Sequence, residues 1–144
     1  MRRSEVVIAS HAMSKEGRDL RKMADIRRMF DPKTIALIGA SEREDSAGRD
    51  LLRNLLSTGG RERTIYPVNP NRKSVLDLEC FPSVSALSRV VDLAVIVSPA
   101  STVPSAVEEC ANAGAQGVLI VSGGFREAGP EGEKLEQEVS AIAK

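Results

Sequence analysis

Four short apolar runs punctuate the chain, and each stops at small or polar residues. They are Thr34 to Ile38 before Gly39, Thr64 to Val68 before Asn69-Pro70, Leu93 to Val97 before Ser98-Pro99, and Val118 to Val121 before Ser122-Gly123-Gly124. Nearly continuous apolar runs of this length suit strands buried on both faces, as in a parallel sheet. A minor extended segment near Glu79 to Phe81 is a candidate fifth strand. Between the runs the apolar spacing lengthens to three and four, the period of a helix. Leu51, Leu52, Leu55 and Leu56 predict a helix over Gly48 to Ser57. Thr102 to Ala113 has Ser101 or Thr102 as a cap, Pro104 in the first turn and Gly114 as a stop. Leu135, Val139 and Ile142 predict another helix over Glu131 to Lys144, and Pro82 to Val90 has room for a shorter one. Upstream, Leu20, Met23, Ile26 and Phe30 form one stripe, which predicts a helix over 18–30. Asp31-Pro32 ends it, because a residue before proline is pushed out of the α region. Residues 1–17 carry no period and read as a tail ahead of one domain over 18–144. Strand and helix alternate, so the expected class is α/β, with right-handed crossovers and helices on both faces of the sheet.

Composition narrows the partners. The 144 residues are 42% apolar and 28% charged, ordinary for a globular domain. Twenty Lys+Arg balance twenty Asp+Glu, which argues against a nucleic-acid binder that must neutralise phosphates. Aromatics are 3% with no Trp, too few for a base-stacking platform. No apolar run approaches the ~20 residues of a membrane span, and Val6-Val7-Ile8-Ala9 is too short for a signal-peptide core. Cys80 and Cys110 lie 30 positions apart without a CxxC motif. They read as reduced, packed thiols of a cytoplasmic protein, not a disulfide or a metal site. His11, the single histidine, has no assignable partner.

In an open parallel sheet, ligands bind beyond the carboxyl ends of the strands. Here those ends are Gly39-Ala40-Ser41, Asn69-Pro70-Asn71, Ser98-Pro99-Ala100 and Ser122-Gly123-Gly124. After Gly39 a polar loop leads to Ser46-Ala47-Gly48 and a leucine-rich helix. Free amides at a helix start favour an anion, so this context suits a phosphate cradle. Gly39 and Gly48 are nine positions apart, so this is not the short dinucleotide fingerprint, and no GK[ST] follows. Gly39 reads equally as a plain strand-to-helix turn. At the second strand end a nicotinamide enzyme usually places a carboxylate for the ribose hydroxyls. This chain offers Asn69-Pro70-Asn71, then Arg72 and Lys73. Cations there suit a ribose phosphate, as NADP and coenzyme A both carry. They read equally as surface charges on a turn. Glu127 is either a ligand contact or a cap for the next helix. Glu131, Glu133, Glu136 and Glu138 read as a solvated face.

The run Met29-Phe30-Asp31-Pro32-Lys33-Thr34-Ile35-Ala36-Leu37-Ile38-Gly39-Ala40-Ser41 resembles the opening of the coenzyme-A-binding domain of NDP-forming acyl-CoA synthetases, relatives of the succinyl-CoA synthetase α subunit. Further blocks follow in order: Ile65 to Pro70, Phe81-Pro82-Ser83-Val84, Asp92 to Ala100, and Ser122 to Gly129. The resemblance implies a Rossmann-like, doubly wound parallel sheet that binds CoA or an acyl-CoA. It implies that the loop from Ser41 to Gly48 holds the CoA phosphates, with Ser46 and backbone amides as donors beside Gly39 and Ala40. Val68, Asn69, Pro70, Arg72 and Lys73 would lie near the adenosine and its 3′-phosphate. Ser98, Pro99 and Ala100 would line the pocket. Val121, Ser122, Gly123 and Gly124, with Glu127 beyond, would approach the pantetheine arm. The family usually has glycine where this chain has Asp77. The family's next strand, ending in Gly-Pro-Asn, is absent before Lys144, as are the phosphohistidine and nucleotide-grasp parts. The expectation is therefore a domain without its last strand, with Val118–Val121 as an edge prone to self-association. Its other partners would be the remaining domains or a subunit of the ligase. Two alternatives stand beside this reading: an NADP-binding oxidoreductase fragment, and a stand-alone CoA or nucleotide sensor without catalysis.

Overall fold

A computed structural model describes residues 27–28, 30–58 and 62–142. The expected tail over 1–17 and most of the expected helix over 18–30 lie outside the described residues. Arg27, Arg28 and Phe30, at its end, are helical.

Strand β1 (Thr34–Ile38) leads to helix α1 (Ala47–Ser57) and strand β2 (Thr64–Val68). A small hairpin follows, β3 (Ser74–Val75) with β4 (Leu78–Glu79). Then come β5 (Leu93–Ile96), α2 (Val103–Asn112), β6 (Val118–Ile120) and α3 (Pro130–Ile142). The main sheet is parallel in the order β2-β1-β5-β6, with Leu37 beside both Pro67 and Val95. The chain winds outward from β1 to β2 and then crosses to the far side of β1 as β5. The winding therefore reverses between β1 and β5, the switch point at which open sheets of this kind form a ligand crevice.

Side chains alternate along β1 as the pleat requires. Ile35 and Leu37 pack with Leu52 of α1 and Val75 of the hairpin on one face. Ala36 packs on the other face with Val103, Val107 and Cys110 of α2 and Val139 of α3. Helices cover both faces, as the α/β reading requires. At the amino edge, Asp92 buckles β5 to β1. Its Oδ2 accepts from the Lys33 and Thr34 amides at 2.8 and 3.3 Å, and its own amide donates to Thr34 Oγ1 at 2.9 Å.

Three local expectations change. The candidate fifth strand near Glu79 to Phe81 is split: Glu79 ends the antiparallel hairpin, and Phe81 makes a lone parallel bridge to Val68. Pro82 follows at once and has no amide to extend the ladder. Pro82 to Val90 holds one 3-10 turn, Val84–Ala86, because Leu87 leaves it in an extended conformation. Thr102 stands at the N-cap position of α2 but does not cap it. A 3-10 turn over Ala100–Thr102 points its hydroxyl back to the Pro99 carbonyl at 2.6 Å. The expected stop at Gly114 is present with φ +78°. Ala115 N donates to Cys110 O and Gly114 N to Ala111 O, the paired bonds of a Schellman stop.

The hairpin turn is strained. Leu76 and Asp77 both have positive φ, 48° and 63°, as a two-residue primed turn demands, and neither is glycine. Asp77→Gly is expected to stabilise the domain by about 1 kcal/mol, read as a melting point a few degrees higher. Gly48→Ala is expected to cost at least about 2 kcal/mol, because a Cβ at Gly48 collides with the Gly39 carbonyl oxygen. Thermal unfolding of both variants checks the pair.

Candidate functional site

The crevice between β1 and β5 is closed by backbone rather than by side chains. Gly39 has φ +95°, and a Cβ on it would stand 2.8 Å from the Ser98 amide nitrogen. Gly48, at the start of α1, lies against the Gly39 carbonyl with no space for a methyl. Three elements thus meet where only glycine fits: the end of β1, the start of α1 and the coil after β5.

This packing leaves donors at the rim. The amides of Ala47 and Gly48, in the first turn of α1, have no acceptor within the helix. The amides of Ser41, Ser98, Ser122 and Gly123 take no acceptor among the described residues. Side chains around them are spent on shaping the coils. Ser46 is 7% exposed; its hydroxyl donates to Arg43 O at 2.7 Å and accepts from Arg49 N at 3.3 Å. It is the N-cap of α1, so the loop's offer to an anion is backbone N–H. Ser41 Oγ accepts from the Arg43 amide at 3.0 Å. Glu42 reaches the hairpin, where its Oε1 accepts from the Leu76 amide at 2.6 Å.

At the end of β2, Asn69 is a bolt. Its Nδ2 donates to Ala40 O at 2.8 Å, and its Oδ1 accepts from the Asn71 amide at 2.9 Å. Val68 is buried below it and accepts from the Gly39 amide. Pro70, Arg72 and Lys73 are exposed beyond it. Neither Arg72 nor Lys73 is paired with a carboxylate among the described residues. Cys80 packs beneath, its thiol 3.8 Å from Asn69 O. Burial raises its pKa, opposed by that bond and by the Arg72 charge. Cys110 is fully buried, and desolvation with Glu109 nearby pushes its pKa up to about 12. Both thiols stay protonated near neutral pH, in keeping with a packing role.

At the ends of β5 and β6 a second bolt stands. The buried Ser122 hydroxyl donates to Ser98 O at 2.5 Å, and Thr102 Oγ1 lies 2.9 Å from Ser98 Oγ. Pro99 is exposed and Ala100 half-buried, its methyl 3.1 Å from where a Cβ on Gly124 would stand. Val121 continues the ladder through its amide to Ile96 O. Glu127 Oε1 accepts from the Gly124 and Phe125 amides at 2.6 and 3.2 Å. Glu136 departs from the expected solvated face: it is paired with Arg126 at 3.1 Å and is one-fifth exposed.

The structure therefore gathers Gly39, Ala40, Ser41, Gly48, Asn69, Ser98, Ala100, Ser122, Gly123 and Gly124 along one carboxyl edge. Arg72 and Lys73 flank it. Glu42 was not legible as part of this edge, since an acid in a polar loop has no sequence signature for binding an amide on a distant turn. A broad concavity at the opposite edge is lined by residues that include Arg27, Arg28, Phe30, Lys33, Asp92 and Gln116. It shares none of these residues.

Residues 33–144 match the family described as CoA binding domain. The chain is 44% identical over 119 residues to acetate–CoA ligase [ADP-forming] I of Archaeoglobus fulgidus, covering 83% of this chain and 17% of that protein. It is 38% identical over 123 residues to the α subunit of acetate–CoA ligase [ADP-forming] I of Pyrococcus furiosus, covering 83% of this chain and 26% of the subunit. Among solved structures, the apo form of the dinucleotide-forming acetyl-coenzyme A synthetase 1 of Candidatus Korarchaeum cryptofilum superposes with a TM-score of 0.73 at 37% identity. That match covers 82% of this chain and 25% of the synthetase. The chain thus spans between a sixth and about a quarter of these relatives.

The Asn69 bolt makes a direct prediction. Asn69→Asp sets a carboxylate against the Ala40 carbonyl and is expected to cost about 1–3 kcal/mol. Asn69→Ser, smaller but uncharged, is expected to cost less; chemical denaturation of both variants orders them.

Proposed function

The chain belongs to the CoA binding domain family, and on that premise we propose that it binds CoA or an acyl-CoA at the carboxyl edge of its sheet. It would serve as the cofactor module of an NDP-forming acyl-CoA ligase, or of a protein acyltransferase fused to one. The observation that carries the reading is the convergence of unspent backbone amides at the β1–β5 crevice, flanked by Arg72 and Lys73 instead of a carboxylate. Backbone donors and a helix N-terminus suit a pyrophosphate. Two cations beyond Asn69 suit a 3′-phosphate on the ribose. The coil from Val121 to Gly124 is left for the pantetheine arm.

In the ligase reaction, the CoA thiol would attack an acyl phosphate, the thioester forming as phosphate leaves. This domain would present the thiol, while phosphoryl chemistry belongs to other parts of a larger enzyme. The folded module would span residues 18–144, preceded by a tail, and work in the cytoplasm. Among the described residues no helix is long and apolar enough to cross a membrane. The outer edge of β6 has no partner strand among the described residues, which favours pairing there with a second copy. A mass that stays monomeric at high concentration in light scattering removes that part of the proposal.

Calorimetric titration with CoA, 3′-dephospho-CoA and NADP tests the reading. CoA is expected to bind at least tenfold tighter than the dephospho form, about 1.4 kcal/mol. Arg72→Ala with Lys73→Ala is expected to erase most of that difference. Binding of NADP without CoA would overturn the proposal in favour of an oxidoreductase fragment.

A further inference from the structure

The coil after β6 is held in an unusual way. Ser122 is fixed at one end by its hydroxyl bond to Ser98 O. Phe125 is fixed at the other, its ring 5% exposed in the core and its carbonyl packed against Gly132 of α3. Between these anchors lie Gly123 and Gly124, the pair with the widest conformational freedom a dipeptide can have. Gly124 sits at φ +103°, and a Cβ on it would stand 3.1 Å from the Ala100 methyl. The shape of this span is then set by one side chain. Glu127 Oε1 accepts from both the Gly124 and Phe125 amides, charge-assisted bonds of the stronger kind. The same oxygen is the nearest group to Gly123, 3.7 Å from where a Cβ would stand.

We propose that Glu127 is a positioning residue for the arm of the ligand that carries the thiol: it does not ligate CoA but fixes the Gly123–Gly124 span so that the Ser122 and Gly123 amides face the rim. This deepens the CoA reading and rests on it. Without the carboxylate the span is free, and a ligand must order it on binding. The adenosine end, beside Asn69 and Arg72, lies across the sheet from Glu127 and is independent of it.

The test titrates the 144-residue chain with CoA and with adenosine 3′,5′-bisphosphate, which has the nucleotide end and no arm. In Glu127→Ala, CoA is expected to bind about tenfold more weakly, while the bisphosphate stays within about twofold of wild type. Glu127→Gln keeps an acceptor oxygen and is expected to recover CoA binding to within about threefold. Amide hydrogen exchange, which needs no ligand, is expected to quicken at Gly124 and Phe125 in the alanine variant and not across β1 or β5. Equal weakening of both ligands, a glutamine variant as weak as alanine, unchanged exchange, or unchanged CoA binding in Glu127→Ala would each overturn the inference. Failure of wild type to bind CoA would instead overturn the functional reading beneath it.

Discussion

Everything at the carboxyl edge depends on one backbone contact, that of Gly48 with the Gly39 carbonyl. It brings the first turn of α1 down onto the end of β1, and Gly39 in turn admits the Ser98 amide from the coil after β5. A methyl at either glycine would wedge these elements apart. Because they meet so closely, backbone rather than side chains fills the junction, and the Ser41 and Ser98 amides beside it take no acceptor among the described residues. Such donors are already oriented and lose little entropy when an anion arrives. The shape of this edge thus follows from tight backbone packing.

Polar side chains near the edge act as fasteners. Asn69 joins the ends of β2 and β1, Ser122 joins those of β6 and β5, and Ser46 caps α1. Two carboxylates do similar work at a distance: Glu42 on the hairpin turn and Glu127 on the glycine span. Glu42 takes one loop amide and Glu127 takes two. Their negative charge beside a site read as anion-binding is thereby partly neutralised by local N–H dipoles. Arg72 and Lys73 remain exposed at one end of the edge, which on the proposed reading would orient a ligand along the sheet.

Much of this was legible in the sequence, for physical reasons. Runs such as Leu93-Ala94-Val95-Ile96 are buried on both faces, and their short length between turn residues marks them as strands of a parallel sheet. The family resemblance, carried by ordered blocks from Met29 to Gly129, agrees with the match over residues 33–144. The strand-end coils were readable because topology places all carboxyl ends of a parallel sheet on one side. What stayed hidden depends on contacts across the chain. The hairpin around Leu76-Asp77 has two residues per arm, too short for a period to register. Ser46 holds Arg43 O and the Arg49 amide, and Glu127 holds the Gly124 and Phe125 amides, partners that spacing along the chain does not reveal. Only three-dimensional placement distinguishes those uses of the same functional group.

The central claim is that ligand meets backbone amides at the carboxyl edge. Amide chemical-shift mapping on the labelled chain during addition of CoA tests it most directly. The account predicts the largest shifts at Ser41, Gly48, Ser98, Ser122 and Gly123, with smaller ones at Arg72 and Lys73. Shifts clustered instead at Arg27, Arg28, Lys33 and Gln116, on the opposite edge, would contradict it.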